Sequence, residues 1–218
     1  MKKTEKTTFQ KYRSRLLLTI FTVLLCYNYI VPYAFFLFYQ PKEGDIIFQS
    51  LPNASDLVKA IEGVSDSPYS HCGIILKKDN KWFVNEAIMD VHSTPLLSFI
   101  ARGRGKRFAI YRLTEQYQHH VKSVITELDK YQGKPYDFRY RLEDAEIYCS
   151  ELIYNAYKDA TNQNLGVCKK LGDLNWKPYK ETILEHEGKQ TIPLERLMIT
   201  PIELSKAEQL EKVYSYGL

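Results

Sequence analysis

Tyr148-Cys149-Ser150-Glu151-Leu152-Ile153-Tyr154-Asn155-Ala156-Tyr157 is the stretch on which the fold turns. Leu152, Ile153, Ala156, Tyr157 and Ala160 repeat at the spacing of one helix face, so the stretch predicts an amphipathic helix. Ser150 and Glu151 fall in its first turn, where capping residues and acids belong. Cys149 then stands at the helix start. Unpaired N–H groups and the positive end of the helix dipole stabilise a thiolate there. That makes Cys149 a candidate nucleophile. Free cysteine is also among the most buried residue types, so the helix alone does not separate a nucleophile from a small core hydrophobe.

Upstream, the chain reads as short strands. Asp45–Gln49 is a first strand, Ser70–Leu76 a second and Lys81–Ala87 a third, with Met89–His92 as an extension of the third. Lys77-Lys78-Asp79-Asn80 is the turn of an antiparallel hairpin between the second and third. Two registers are open, one opposing His71 to Glu86 and the other opposing His71 to Ile88. Side chains alternate along a strand, so both put His71 and Glu86 on one face and turn Cys72 and Asn85 to the other. Residues 51–69 read as a helix and loop, and Phe108–Leu113 as a fourth strand. Glu115–Tyr131 reads as a helix that Gly133 ends. Toward the C-terminus, short helices are expected over Glu181–Glu187, Ile192–Leu197 and Ser205–Val213. Arg102-Gly103-Arg104-Gly105-Lys106-Arg107 lacks the spacing of a phosphate-binding loop and reads as a solvated turn.

Charge divides the chain. Of its 218 residues, 1–39 carry six basic residues and one acid, a net of +5. The remainder carries 24 basic and 25 acidic residues, a net of −1, so the globular part has no electrostatic footprint for nucleic acid. Leu16–Tyr39 is a nearly unbroken apolar run without charge, long enough to span a bilayer. The basic residues before it predict a cytoplasmic N-terminus. Three segments are therefore expected: a basic N-terminus over 1–15, a transmembrane anchor over 16–39, and a folded domain over 40–218 on the extracytoplasmic side. A lipoprotein signal ending at Cys26 is the lesser alternative, because Leu25 is large for that site.

The four cysteines, Cys26, Cys72, Cys149 and Cys168, show neither a disulfide framework nor zinc-ligand spacing. Glu185-His186-Glu187 lacks a second histidine at ligand spacing. No metal and no cofactor are expected.

In order along the chain stand Gly44-Asp45-Ile46-Ile47-Phe48, Ser70-His71-Cys72-Gly73-Ile74, Asn85-Glu86-Ala87, Pro135-Tyr136-Asp137 and Tyr148-Cys149-Ser150-Glu151-Leu152. This order resembles the circularly permuted branch of the NlpC-type papain-fold cysteine hydrolases, the YiiX/YebB-like group, over roughly residues 42–215. There the histidine strand precedes the cysteine helix, the reverse of papain-like enzymes. The resemblance implies an α+β fold with an antiparallel sheet packed against the cysteine helix. It implies Cys149 as nucleophile, His71 as general base and Glu86 as the group that orients the imidazole, with Asn85 beside it as another orienter. Tyr136 and Tyr148 are candidate substrate-binding residues. The expected function is a membrane-anchored cysteine peptidase or amidase acting on peptide or peptidoglycan-derived substrates. An acyltransferase or lipid-acting thiol enzyme of the lecithin:retinol acyltransferase-like kind is the alternative.

Overall fold

Asp79 and Asn80 both adopt positive φ, 47° and 63°, the backbone that a two-residue hairpin turn requires. Around them, in the computed structural model, β2 (His71–Lys78) and β3 (Lys81–Ala87) pair antiparallel, Lys78 with Lys81 and Ile74 with Asn85. This is the second of the two registers, so Glu86 lies diagonal to His71 rather than opposite it, on the same face. Structure is described for residues 2–53, 55–143, 145–188 and 190–218, and within the first helix for the side chains of 10–27, 34, 35, 37 and 38.

The chain divides into two units, Met1–Gln40 and Pro41–Leu218. The first is the helix α1 (Lys2–Phe38), whose described apolar side chains from Leu16 to Leu25 are exposed. Among the described residues no helix is long and apolar enough to cross a membrane. The expected transmembrane helix is therefore not supported. Positions 28–33 and 36 of the expected anchor lie outside the described side chains.

The second unit is α+β. Its main sheet has six strands, ordered β4-β3-β2-β1-β5-β8, where β1 is Ile46–Gln49, β4 Val91–Pro95, β5 Phe108–Leu113 and β8 Leu210–Tyr216. Every neighbouring pair in it is antiparallel. Around the sheet lie α2 (Asp56–Val64), α3 (Leu96–Arg102), α4 (Val121–Leu128), α5 (Cys149–Thr161), α6 (Lys180–Glu187) and α7 (Pro201–Ser205). A two-stranded ribbon of β6 (Lys169–Lys170) and β7 (Leu197–Met198) completes the unit.

The sheet is covered on both faces, as its alternation dictates. Ile46, Phe48, Cys72, Ile74 and Leu76 point into one core with Leu152, Ile153, Ala156 and Tyr157 of α5 and Val124 and Leu128 of α4. Ile47, Gln49, His71 and Ile75 alternate with these and are also buried. There the His71 ring stacks on Phe99 of α3, centroids 5.5 Å apart.

Three expected elements differ. Ile192–Leu197 is not a helix: it is loop and turn that runs into β7. Met89–His92 does not extend β3. The chain reverses there, and Glu86 pairs with His92 and Ala87 with Val91 across a new hairpin. Ser205–Val213 is not a helix: Leu210–Tyr216 pairs with β5, Phe108 facing Tyr216 and Leu113 facing Leu210. The apolar spacing there fits either periodicity, and the unpaired edge of β5 decides for the strand.

Candidate active site

Cys149 is the first residue of α5, a helix of 13 residues, with Tyr148 as its N-cap. The Tyr148 N–H donates to Glu151 Oε2 at 3.2 Å, closing the first turn. Ser150 does not cap. Its hydroxyl donates to the Ile199 carbonyl at 2.7 Å, tying the helix start to the segment before α7. Cys149 is thus held with its backbone N–H free of the helical ladder and its sulfur at the positive helix end.

His71 and Glu86 meet through the hairpin. His71 Nε2 lies 2.5 Å from Glu86 Oε2, both side chains fully buried. The other ring nitrogen, Nδ1, is left for Cys149, which with Glu86 raises the imidazole. Gly73 makes this contact feasible. A Cβ there would stand 2.3 Å from Val84 Cγ1, 2.8 Å from the Asn85 carbonyl and 3.3 Å from Glu86 Cβ. The glycine in Ser-His-x-Gly therefore clears the path between strands on which the carboxylate rests.

Two further groups, unnoticed in the sequence, complete the cluster. Arg102 Nη2 donates to the same Glu86 Oε2 at 2.5 Å. The Arg102–Arg107 run is therefore not a solvated turn: Arg104 forks onto Glu62 at 2.8 and 3.0 Å, and Lys106 is buried. Cys72, on the opposite face of β2 from His71, brings its thiol and its backbone N–H to the Cys149 sulfur. Nothing in strand periodicity could have revealed either; both depend on where α3 and α5 come to rest.

The electrostatics follow. The Cys72 thiol bond pulls Cys149 well below the ordinary thiol range, and the His71 contact adds to it against the cost of burial. Cys72 itself is pushed well above that range by burial. Burial alone would lower His71, but its bonds to Cys149 and Glu86 overcome this and raise it to about 9. Burial would raise Glu86, yet His71 and Arg102 hold it down to about 2. These directions together favour a Cys149 thiolate beside a His71 imidazolium whose charge Glu86 balances.

The other sequence candidates fall at different depths. Asn85 turns away from His71, as strand alternation requires, and its Nδ2 donates to Ser93 Oγ at 3.3 Å. Tyr136 is buried, its hydroxyl 3.0 Å from that of Tyr140, and both phenols are raised by burial with the Cys149 charge adding to it. Tyr148 is core: its hydroxyl accepts from the Ile199 N–H at 2.9 Å. Tyr140, which the sequence did not single out, packs tilted against the Tyr148 ring, centroids 4.9 Å apart. It also lines an apolar cavity of about 650 Å³, counting its open mouth, walled by Leu57, Ile61, Ile183, Met198 and Ile199.

The family model described as "permuted papain-like amidase enzyme, YaeF/YiiX, C92 family" matches residues 40–214. The chain belongs to this C92 family. It is 34% identical over 178 residues to the uncharacterized protein YiiX of Escherichia coli K12, covering 80% of this chain and 87% of that one. It is also similar to a solved structure titled as the metalloprotein yiiX from Escherichia coli O157:H7, with a TM-score of 0.75 and 33% identity over 82% of this chain and 99% of that one. Among the described residues here, no three His, Cys, Asp or Glu side chains group to hold a metal ion. Membership makes this C92 chain a papain-like cysteine hydrolase of permuted topology, with the histidine strand ahead of the cysteine helix.

Proposed function

We propose that this C92 enzyme is a cysteine amidase or peptidase that uses Cys149, His71 and Glu86 and passes through a thioester acyl-enzyme. The observation that carries the reading is the buried chain of contacts from Cys149 through His71 to Glu86. The Cys149 thiolate attacks the amide carbonyl carbon. The oxyanion that forms is positioned to receive the Cys149 backbone N–H at the helix start. His71 Nδ1–H gives its proton to the departing amine, the C–N bond breaks, and a thioester remains. His71, now neutral, takes a proton from water as the water attacks the thioester. The acid leaves and the thiolate–imidazolium pair is restored. Glu86 holds the ring and balances its charge throughout, and Arg102 keeps Glu86 ionised.

We assign peptide or peptidoglycan-derived amides as substrates. The sequence supports an extracytoplasmic domain held at a membrane by the N-terminal segment: six basic residues precede an uncharged apolar run, and the described part of α1 exposes apolar side chains from Leu16 to Leu25. A second reading, acyl transfer from a lipid, has one specific observation in its favour: the apolar cavity that Tyr140 lines. Digestion of cell-wall peptides and of phospholipid acyl donors, wild type against Cys149→Ala, tests both. Release of amine from peptides, lost in the variant, supports the amidase. Acyl release from lipid alone supports the second reading, and turnover of neither class overturns both.

A further inference from the structure

Behind His71 lies a set of buried polar atoms that the mechanism above leaves unexplained. Gln49 ends β1 and is the direct cross-strand partner of His71, so both side chains stand on one face of the sheet. It is fully buried, and among the described residues neither its Oε1 nor its Nε2 has a hydrogen-bond partner. The same holds for Glu86 Oε1 and Arg102 Nε. Gln49 Oε1 points at the residue after Arg102: a Cβ on Gly103 would stand 2.6 Å from it. Gly103 has φ −60° and ψ 147°, a backbone that any residue adopts. Its glycine is explained by the room the Gln49 amide needs, not by conformation.

Burying an amide without partners costs roughly 1–3 kcal/mol, so a fully buried glutamine on a central strand calls for a reason. The unpartnered atoms supply one. They are two acceptors, Gln49 Oε1 and Glu86 Oε1, and two donors, Gln49 Nε2 and Arg102 Nε. Water offers both kinds of bond, and a buried water needs two to four polar partners.

We propose that Gln49 is a positioning residue for the catalytic histidine: with ordered water it ties Glu86 Oε1 and Arg102 Nε together, locking the carboxylate whose other oxygen binds His71. This rests on the Cys149–His71–Glu86 reading. Chemically, the link fixes the rotation of the Glu86 carboxyl group. Oε2 is then aimed at Nε2 of the ring, and the imidazolium is favoured over imidazole. The charged and titratable groups facing His71 are Glu86 of β3, Arg102 of α3 and Cys149 of α5, with Cys72 bonded to the same sulfur from the next position of β2. Gln49 acts through the first two.

The test needs no substrate. In the full chain, alkylation of Cys149 is followed against pH by peptide mass spectrometry in wild type, His71→Ala and Gln49→Met. Methionine matches glutamine in length and offers no amide. Gln49→Met is expected to fold with an unchanged thermal midpoint and to move the half-maximal pH of alkylation up by about one unit, toward the ordinary thiol range. An unchanged profile in folded Gln49→Met, while His71→Ala does shift it, overturns this proposal and leaves the triad standing. No shift in His71→Ala overturns the triad reading itself. A crystal structure of the unaltered protein decides the matter should Gln49→Met not fold. Water within hydrogen-bond distance of both Gln49 and Glu86 Oε1 supports the link; a Gln49 amide satisfied elsewhere contradicts it.

Discussion

At the scale of single residues, the site works because one charge is placed so that three others settle around it. Arg102 and His71 share Oε2 of Glu86, so that oxygen carries the balance of the cluster. Glu86→Gln keeps the shape and removes the charge. It is expected to lower kcat by roughly 10–100-fold, the cost typical of losing a partner behind a reactive ligand, with KM little changed. In wild type, the imidazolium that protonates the leaving group is lost as pH rises through about 9, so kcat/KM should fall there. In Glu86→Gln that limb should move to lower pH, and a pH–rate profile checks both. His71 and Glu86 were legible from strand parity alone, because either hairpin register put them on one face. Arg102 was not: a basic run looks the same in sequence whether its guanidinium meets water or a buried carboxylate. Cys72 was hidden for a related reason. Parity turned it away from His71, and only the depth at which α5 starts brings its thiol back to Cys149.

At the scale of elements, the motifs are statements about close approach. Gly73→Ala would drive a methyl group into Val84 and the Asn85 carbonyl. We expect a loss of about 2 kcal/mol from overpacking and a larger fall in activity, since β3 must move and take Glu86 with it. Denaturant unfolding together with a rate assay separates the two effects. Gly-Asp-Ile-Ile has a different meaning. Asp45 is fully buried and takes a two-pronged bond from Arg112, Nε to Oδ1 at 2.7 Å and Nη2 to Oδ2 at 2.9 Å, while accepting from the Lys42 N–H. Asp45→Ala leaves that guanidinium mostly buried without its carboxylate and should cost about 3 kcal/mol, with kcat of the folded fraction retained. Equal loss of stability and kcat would contradict this. Strands flanked by clear turns were legible: Phe108–Leu113 and Lys81–Ala87 stand where periodicity put them. Strand β8 was not, because a lone seven-residue edge strand is decided by its neighbour β5 and not by its own pattern.

At the scale of the whole molecule, the family match begins at residue 40, one residue before the second unit begins at Pro41. Removing residues 1–40 should leave a folded domain whose Cys149 chemistry is intact, measured by thermal unfolding and alkylation of the shortened chain. Stability should depend on pH in a set direction. His71 is raised from 6.5 to about 9 on folding, so its contribution is full below 6.5 and is lost as pH rises through 9. Glu151, raised by burial from 4.5 to about 8, contributes in the same direction over a lower window, fully below 4.5 and lost as pH rises through 8. Glu86, held at about 2, contributes above 4.5 and loses that contribution only as pH falls through 2. The central claim is that His71, together with the Cys72 thiol, holds Cys149 as a thiolate. The rate of Cys149 alkylation against pH, compared between wild type and His71→Ala, measures it most directly. The account predicts a wild-type Cys149 that reacts well below the free thiol value of about 8.5, and a shift up to or beyond that value in the variant. Cys149 reacting no faster than Cys168 at neutral pH, or a profile indifferent to His71→Ala, would contradict it.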